Sequence, residues 1–189
     1  MKHMGWMAGL AGGLAVATLA SAAVAEPAEM DRLCGPPGMH FGMSVEAWKA
    51  LNFPDAGPAV IQPICSDQPL AASFMGVGET NSPAATLVCG YANRIDSVFQ
   101  RAAITVLHGH SAQALRYTFP GGRLAEVDCQ LDAAALDAAR AHLSKVYGQP
   151  RSGHGGHQHW PIAGGQVTLE PPRGADDLVT LRYVADVDQ

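Results

Sequence analysis

The sequence predicts an α+β fold: an antiparallel sheet built from two helix-then-hairpin units, with the helices on one face and disulfides as staples. Three observations carry that prediction. Apolar and polar residues alternate through "ALRYTFPGGRLAEVDCQL" at 114–131, and again through "QVTLE" at 166–170 and "LVTLRYV" at 178–184. Two other stretches, 45–52 and 132–147, repeat their apolar residues at helical spacing. Four cysteines, Cys34, Cys65, Cys89 and Cys129, are spread along the chain with no C-x-x-C among them.

The chain opens with Lys2, an apolar run from about Met7 to Leu19, then small residues ending in "AVA" at 23–25. That pattern is a secretory leader, and residues 1–25 are expected to be a signal peptide cleaved after Ala25. A permanent membrane anchor is the alternative, but the apolar run falls short of the ~20 residues that span a bilayer. The expected location is therefore periplasmic or secreted, with no stable membrane insertion. In such a compartment an even set of cysteines reads as two disulfides. Three connectivities are open; Cys65–Cys89 is favoured because it brackets an irregular stretch, and Cys34–Cys129 then follows by elimination.

Residues 26–40, "EPAEMDRLCGPPGMH", read as an extended lead-in rich in Pro and Gly, before a single domain at 41–185. Ser44 is a good N-cap, Glu46 complements the first turn, and Pro54 stops a helix over 45–52. Val45, Trp48 and Leu51 share its inner face, so Trp48 reads as core and not as a ligand platform. Residues 53–84 carry five prolines and read as loops with one short strand near "AVIQPI". "ATLVCGY" from 85 and "AAITVL" at 102–107 read as strands, with a helix beginning near Ser97 as the alternative for the second.

The hairpin at 114–131 turns on Pro-Gly-Gly. Leu115, Tyr117 and Phe119 share one face with Ala125, Val127, Cys129 and Leu131, and the charged residues take the other. Asp132 is the expected N-cap of the second helix, whose buried stripe is Leu136, Ala139, Leu143 and Val146, with Gly148 and Pro150 ending it. A last hairpin joins 166–170 to 178–184 over "PPRGADD".

This order resembles the tandem helix-then-antiparallel-strand units of small exported bacterial domains such as the outer-membrane assembly lipoprotein BamE and the β-lactamase inhibitor protein. The residues that carry the likeness are "FGMSVEAW" at 41–48, similar to their Gly-Met-Ser/Thr helix opening, and "LSKVYGQP" at 143–150, similar to their Gly-x-Pro helix ending. The chain departs from BamE in lacking a lipid-anchoring cysteine at the leader's end, and its 53–84 segment is longer and richer in proline. The resemblance implies binding or scaffolding without catalysis.

Formal net charge is −5, one unit more negative once Lys2 leaves with the leader, and no Lys/Arg cluster stands out. That argues against nucleic acid or an anionic membrane as partner. "RSGHGGHQHW" at 151–160 is the one stretch that invites metal chemistry. His154, His157 and His159 could offer imidazoles to Zn²⁺, Cu²⁺ or Ni²⁺, with His108 and His110 in "LHGH" as a second cluster. Against it stand three loop glycines and no adjacent carboxylate to orient the rings. A mobile helix-to-strand loop is the favoured reading there. The clusters share a sheet end only if strands 114–119 and 166–170 run the same way.

Gly109-His110-Ser111 follows a strand as a nucleophile elbow does, but Gln113 replaces the last glycine and an alternating strand stands where the elbow needs a helix. "GVGETN" at 76–81 lacks the Lys-Ser/Thr of a phosphate loop. The carboxylates are scattered, with no catalytic pair. The function expected is therefore that of an exported, non-enzymatic binding or scaffold protein whose partner is a protein or envelope component. A metal-binding or metal-handling protein using His154, His157 and His159 is the alternative.

Overall fold

A computed structural model of the chain describes residues 30, 33–51, 61–68, 71, 86–95, 98–102, 104–107, 109–174 and 177–186. The expected leader at 1–25, most of the 53–84 segment and His108 lie outside the described residues.

Among the described residues the chain is α+β and mostly sheet. A short helix, α1 (Val45–Lys49), precedes β1 (Ile61–Cys65), β2 (Thr86–Ile95), β3 (Val98–Arg101), β4 (Ile104–Leu107), β5 (His110–Pro120) and β6 (Glu126–Leu131). A single 3-10 turn, Ala133–Ala135, leads into α2 (Leu136–Tyr147), and β7 (Arg151–Ser152), β8 (Gln158–Ile162), β9 (Gly165–Glu170) and β10 (Val179–Ala185) follow. All pairings are antiparallel, in the order β1-β2-β5-β6-β10-β9-β8-β7, with β3 beside β2 and β4 beside β5. Two equivalent helix-then-hairpin units are not evident in this arrangement. Six strands, β1 to β6, lie between the helices' positions in the chain and one sheet runs through both halves.

The register aligns one side chain from each of seven strands in a single cross-strand row: Cys65, Cys89, Tyr117, Val127, Tyr183, Val167 and Trp160. Every one of these residues is 0% exposed. Antiparallel pairing brings such directly opposite side chains within contact, so the row forms the spine of the core. Both helices cover this face, α1 through Val45 and Trp48 and α2 through Ala139 and Leu143. The Trp48 ring lies with its centroid 4.9 Å from Tyr91, 4.9 Å from Tyr117 and 5.6 Å from Phe119, an aromatic cluster in tilted and edge-on geometry. Trp48 is thus core.

Local chemistry explains most boundaries. The Ser44 side chain accepts a hydrogen bond from the Ala47 N–H at 3.1 Å, capping α1 as expected. The helix is only five residues long, however, and Leu51 reaches the core from outside it. Gly121 and Gly122 both take positive φ, 58° and 78°, and Arg123 N–H bonds to the Pro120 carbonyl at 3.2 Å. Only glycine enters that tight turn of the β5–β6 hairpin without strain. Val98–Arg101 is a strand, so no helix occupies 98–107 among the described residues.

Two expectations about the helix and the lead-in need correction. Val146 is 48% exposed. At about 100° per residue Tyr147 falls within about 20° of Leu136, whereas Val146 is turned about 80° away. Tyr147 accordingly packs against the core in its place. Residues 33–39 are also more than a lead-in, because Leu33, Cys34 and Met39 are each 1% exposed and the Tyr117 hydroxyl donates to the Cys34 carbonyl at 2.9 Å.

The favoured Cys65–Cys89 disulfide is present, joining directly opposed residues of β1 and β2. Cys34 and Cys129 are buried thiols, so the expected second bridge is not formed in this structure. Replacing Cys65 and Cys89 together by Ala is expected to lower the urea-unfolding free energy by about 3 kcal/mol, the chain-entropy value for a loop of this size. A loss near zero would mean the β1–β2 pairing needs no cross-link.

Candidate functional site

The histidine stretch is built on strands. β7 pairs with β8 through Arg151 opposite His159 and Ser152 opposite Gln158. A 3-10 turn at His154–Gly156 joins them, with Gly155 and Gly156 at φ 66° and 80°, and Gly153 N–H bonds to the His157 carbonyl at 2.8 Å. The favoured expectation of a mobile loop is therefore replaced by an ordered hairpin, which the sequence did not reveal because each strand is brief and lacks alternation. Trp160 locks it to the helix, burying its ring and donating from the indole N–H to the Gly148 carbonyl at 2.9 Å.

Strand geometry places His157 and His159 on one face, with ring centroids 6.5 Å apart. His159 Nδ1 is 2.9 Å from the Thr168 hydroxyl on β9, and the other side of its ring lies so close to Gly153 that a Cβ there would collide with Nε2. Gly153 is needed for this approach, and the loop's glycines serve packing and turn geometry. His154 is exposed in the turn. No group of three or more His, Cys, Asp or Glu that could hold a metal occurs among the described residues.

His110 begins β5, where Nδ1 lies 3.4 Å and 3.5 Å from the two Asp132 carboxylate oxygens. Asp132 takes the extended backbone of an N-cap but its side chain makes no cap hydrogen bond. Ser111 pairs with Thr105 inside a strand pairing, so the elbow geometry is absent there. Strand order also decides whether the histidine clusters meet. β5 and β9 run in opposite directions, but the extra strand β8 runs with β5, so His110 and the histidine hairpin share one end of the sheet. Four strand steps separate them, about 19 Å at the usual spacing.

The second face of the sheet carries the charged residues that alternation turns to solvent, but the sequence did not show which of them meet. Arg116, Asp128, Arg182, Thr168, His159 and Arg151 form one cross-strand row on it. Arg182 organises the middle of that row, bonding to Asp128 at 2.9 Å and lying 3.3 Å from Glu126 and 4.0 Å from Glu170. The Asp128 hydrogen bond chiefly holds the Arg182 guanidinium in its charged form. Burial, reinforced by the neighbouring Asp128 charge, raises the Glu126 pKa, while Arg182 and Arg116 oppose that shift. Alternation signalled that Glu126 and Asp128 face solvent. Which arginine stands beside them depends on β10 lying next to β6, and no local pattern encodes that.

Two concavities flank this face. One of about 520 Å³ lies by the β9–β10 loop, between Glu170, Arg173 and Asp177; the other, about 590 Å³, is mainly apolar and lined by Phe41, Leu124 and Val184. No helix among the described residues is long and apolar enough to cross a membrane. No protein-family model, curated protein or solved structure matches the chain. Its functional reading therefore stands on its own residues.

Gly153→Ala should cost about 1–3 kcal/mol through overpacking against His159. Adding His159→Ala should recover part of that loss in a double-mutant cycle; simple additivity would contradict the contact. Zn²⁺ and Cu²⁺ calorimetry should show no site tighter than micromolar that depends on His157 and His159. A tight isotherm lost on replacing both with Ala would instead establish the metal reading. For Glu126, a folded pKa raised above 4.5 means its ionised form opposes folding above that range. Glu126→Gln should accordingly raise the melting temperature at pH 7, with the gain shrinking as pH falls through the raised pKa towards 4.5. Asp128→Asn should do the opposite at pH 7, since Asp128 supplies the shortest bond to Arg182.

Proposed function

We propose that this is a soluble exported protein, periplasmic or secreted, that binds a protein partner of the cell envelope through the exposed face of its sheet and performs no catalysis. The observation that carries the reading is the row from Arg116 through Asp128 and Arg182 to His159 and Arg151. Helices close the apolar face, and among the described residues no helix covers this one. Its charges are of both signs and fixed on strands, a rigid polar surface suited to specific recognition more than to nonspecific attraction. The Cys65–Cys89 disulfide supports export, because such bonds persist in oxidising compartments.

A photo-crosslinking residue placed at Arg116 or Gln166, on the exposed sheet face, should form a discrete adduct with one envelope protein in cells. The same probe at Asp137 or Lys145, on the outer side of α2, should not. Adducts from the helix positions alone, or equal labelling from all four, would overturn the assignment of the sheet as the binding face.

A further inference from the structure

We propose that the apolar concavity beside the β5–β6 turn is a binding site for a small organic cation with an apolar body. Its volume is about 590 Å³. Small-molecule pockets run to roughly 300–1,000 Å³ and are likewise mostly apolar, with a few placed polar groups. Three segments build the walls: residues 41–42 before α1, residues 118–126 around the turn, and residues 184–186 at the end of β10. Backbone hydrogen bonds join them. Gly42 N–H donates to the Leu124 carbonyl at 2.8 Å, Leu124 N–H to the Met43 carbonyl at 2.9 Å, and Ala185 N–H to the Ala125 carbonyl at 2.8 Å. The Phe41 ring is held in place too, lying so close to Gly165 of β9 that a Cβ there would collide with it. A cavity fixed in this way is formed before any ligand arrives, so little ordering opposes binding.

The lining also sets the sign of the ligand's charge. Phe41, Pro120, Leu124 and Val184 are its apolar part, and Arg123, Glu126 and Asp186 its charged part. The Arg123 guanidinium donates to the Gly42 carbonyl at 3.0 Å. Glu126 lies 3.3 Å from Arg182, outside the cavity, whereas Asp186 has no ion-pair partner among the described residues. Two carboxylates against one guanidinium leave negative charge in excess, and Asp186 is the seat for a cation. Burial and then the Asp128 charge raise the Glu126 pKa against the pull of Arg182 and Arg116, so a further cation beside it would be favourable. Binding here requires neither export nor a protein partner, so its failure would leave the crosslinking result untouched.

Tryptamine and indole-3-propionate share an indole and a two-carbon arm but carry opposite charges at pH 7. Each is titrated into the isotope-labelled purified protein and followed through backbone amide NMR shifts. Tryptamine should shift the Gly42, Leu124 and Val184 amides saturably. It should bind about 10-fold or more tighter than the anion, the size of one charge-assisted hydrogen bond. Asp186 is exposed, so Asp186→Asn should fold normally and lose most of that preference, and adding Glu126→Gln should remove the rest. Equal affinities, tighter binding of the anion, or no saturable shift at these amides would overturn the proposal. So would a preference for tryptamine that survives both substitutions.

Discussion

A slip of one residue between β5 and β6 would turn Tyr117 out to solvent and press Arg116 into the core, because successive strand residues face opposite sides. The same register continues through β10, β9 and β8, so the buried row ending at Trp160 and the charged row ending at Arg151 are two sides of one alignment. Burying seven side chains at 0% exposure leaves no freedom to shift any strand independently. The sheet's register is thus the constraint on which both the core and the polar face depend.

The remaining parts act to keep that alignment. The Gly121–Gly122 turn sets the β5–β6 pairing, and the Cys65–Cys89 bond fixes β1 against β2 at the far end of the row. At the other end β7 is only two residues long, and β8 carries Pro161, which has no N–H to offer. A short, proline-bearing margin is a poor template for pairing with another chain. Trp160 ties this margin to the end of α2 through Gly148, so the helix and the histidine hairpin stabilise one another.

The polar face follows from the same geometry. Arg182 on β10 is surrounded by Glu126 and Asp128 of β6 on one side and Glu170 of β9 on the other. Exposed ion pairs of this type contribute little stability individually. Their arrangement on adjacent strands instead gives the surface a defined pattern of charge. The imidazoles of His157 and His159 belong to this side of the molecule through Thr168, where packing against Gly153 and hydrogen bonding account for His159.

Much of the secondary structure was legible because its signals are local. Alternation around Pro-Gly-Gly marked β5 and β6, the Ser44 cap marked the start of α1, and Gly148 marked the end of α2. The β7–β8 hairpin was hidden, since a two-residue strand has no period to detect and its glycines imitate a loose loop. Cys65 and Cys89 could be paired by their spacing, but their position opposite one another on neighbouring strands could not be read from it. The sequence by itself determined which residues alternate, where helices begin and stop, and that two sulfur pairs were available. Only the tertiary structure decided that β10 lies between β6 and β9, that His110 stands four strands from the histidine hairpin, and that Arg182 meets three carboxylates. Those outcomes depend on strand order, a long-range choice made when distant segments bury their apolar faces together, and no short window of sequence contains it.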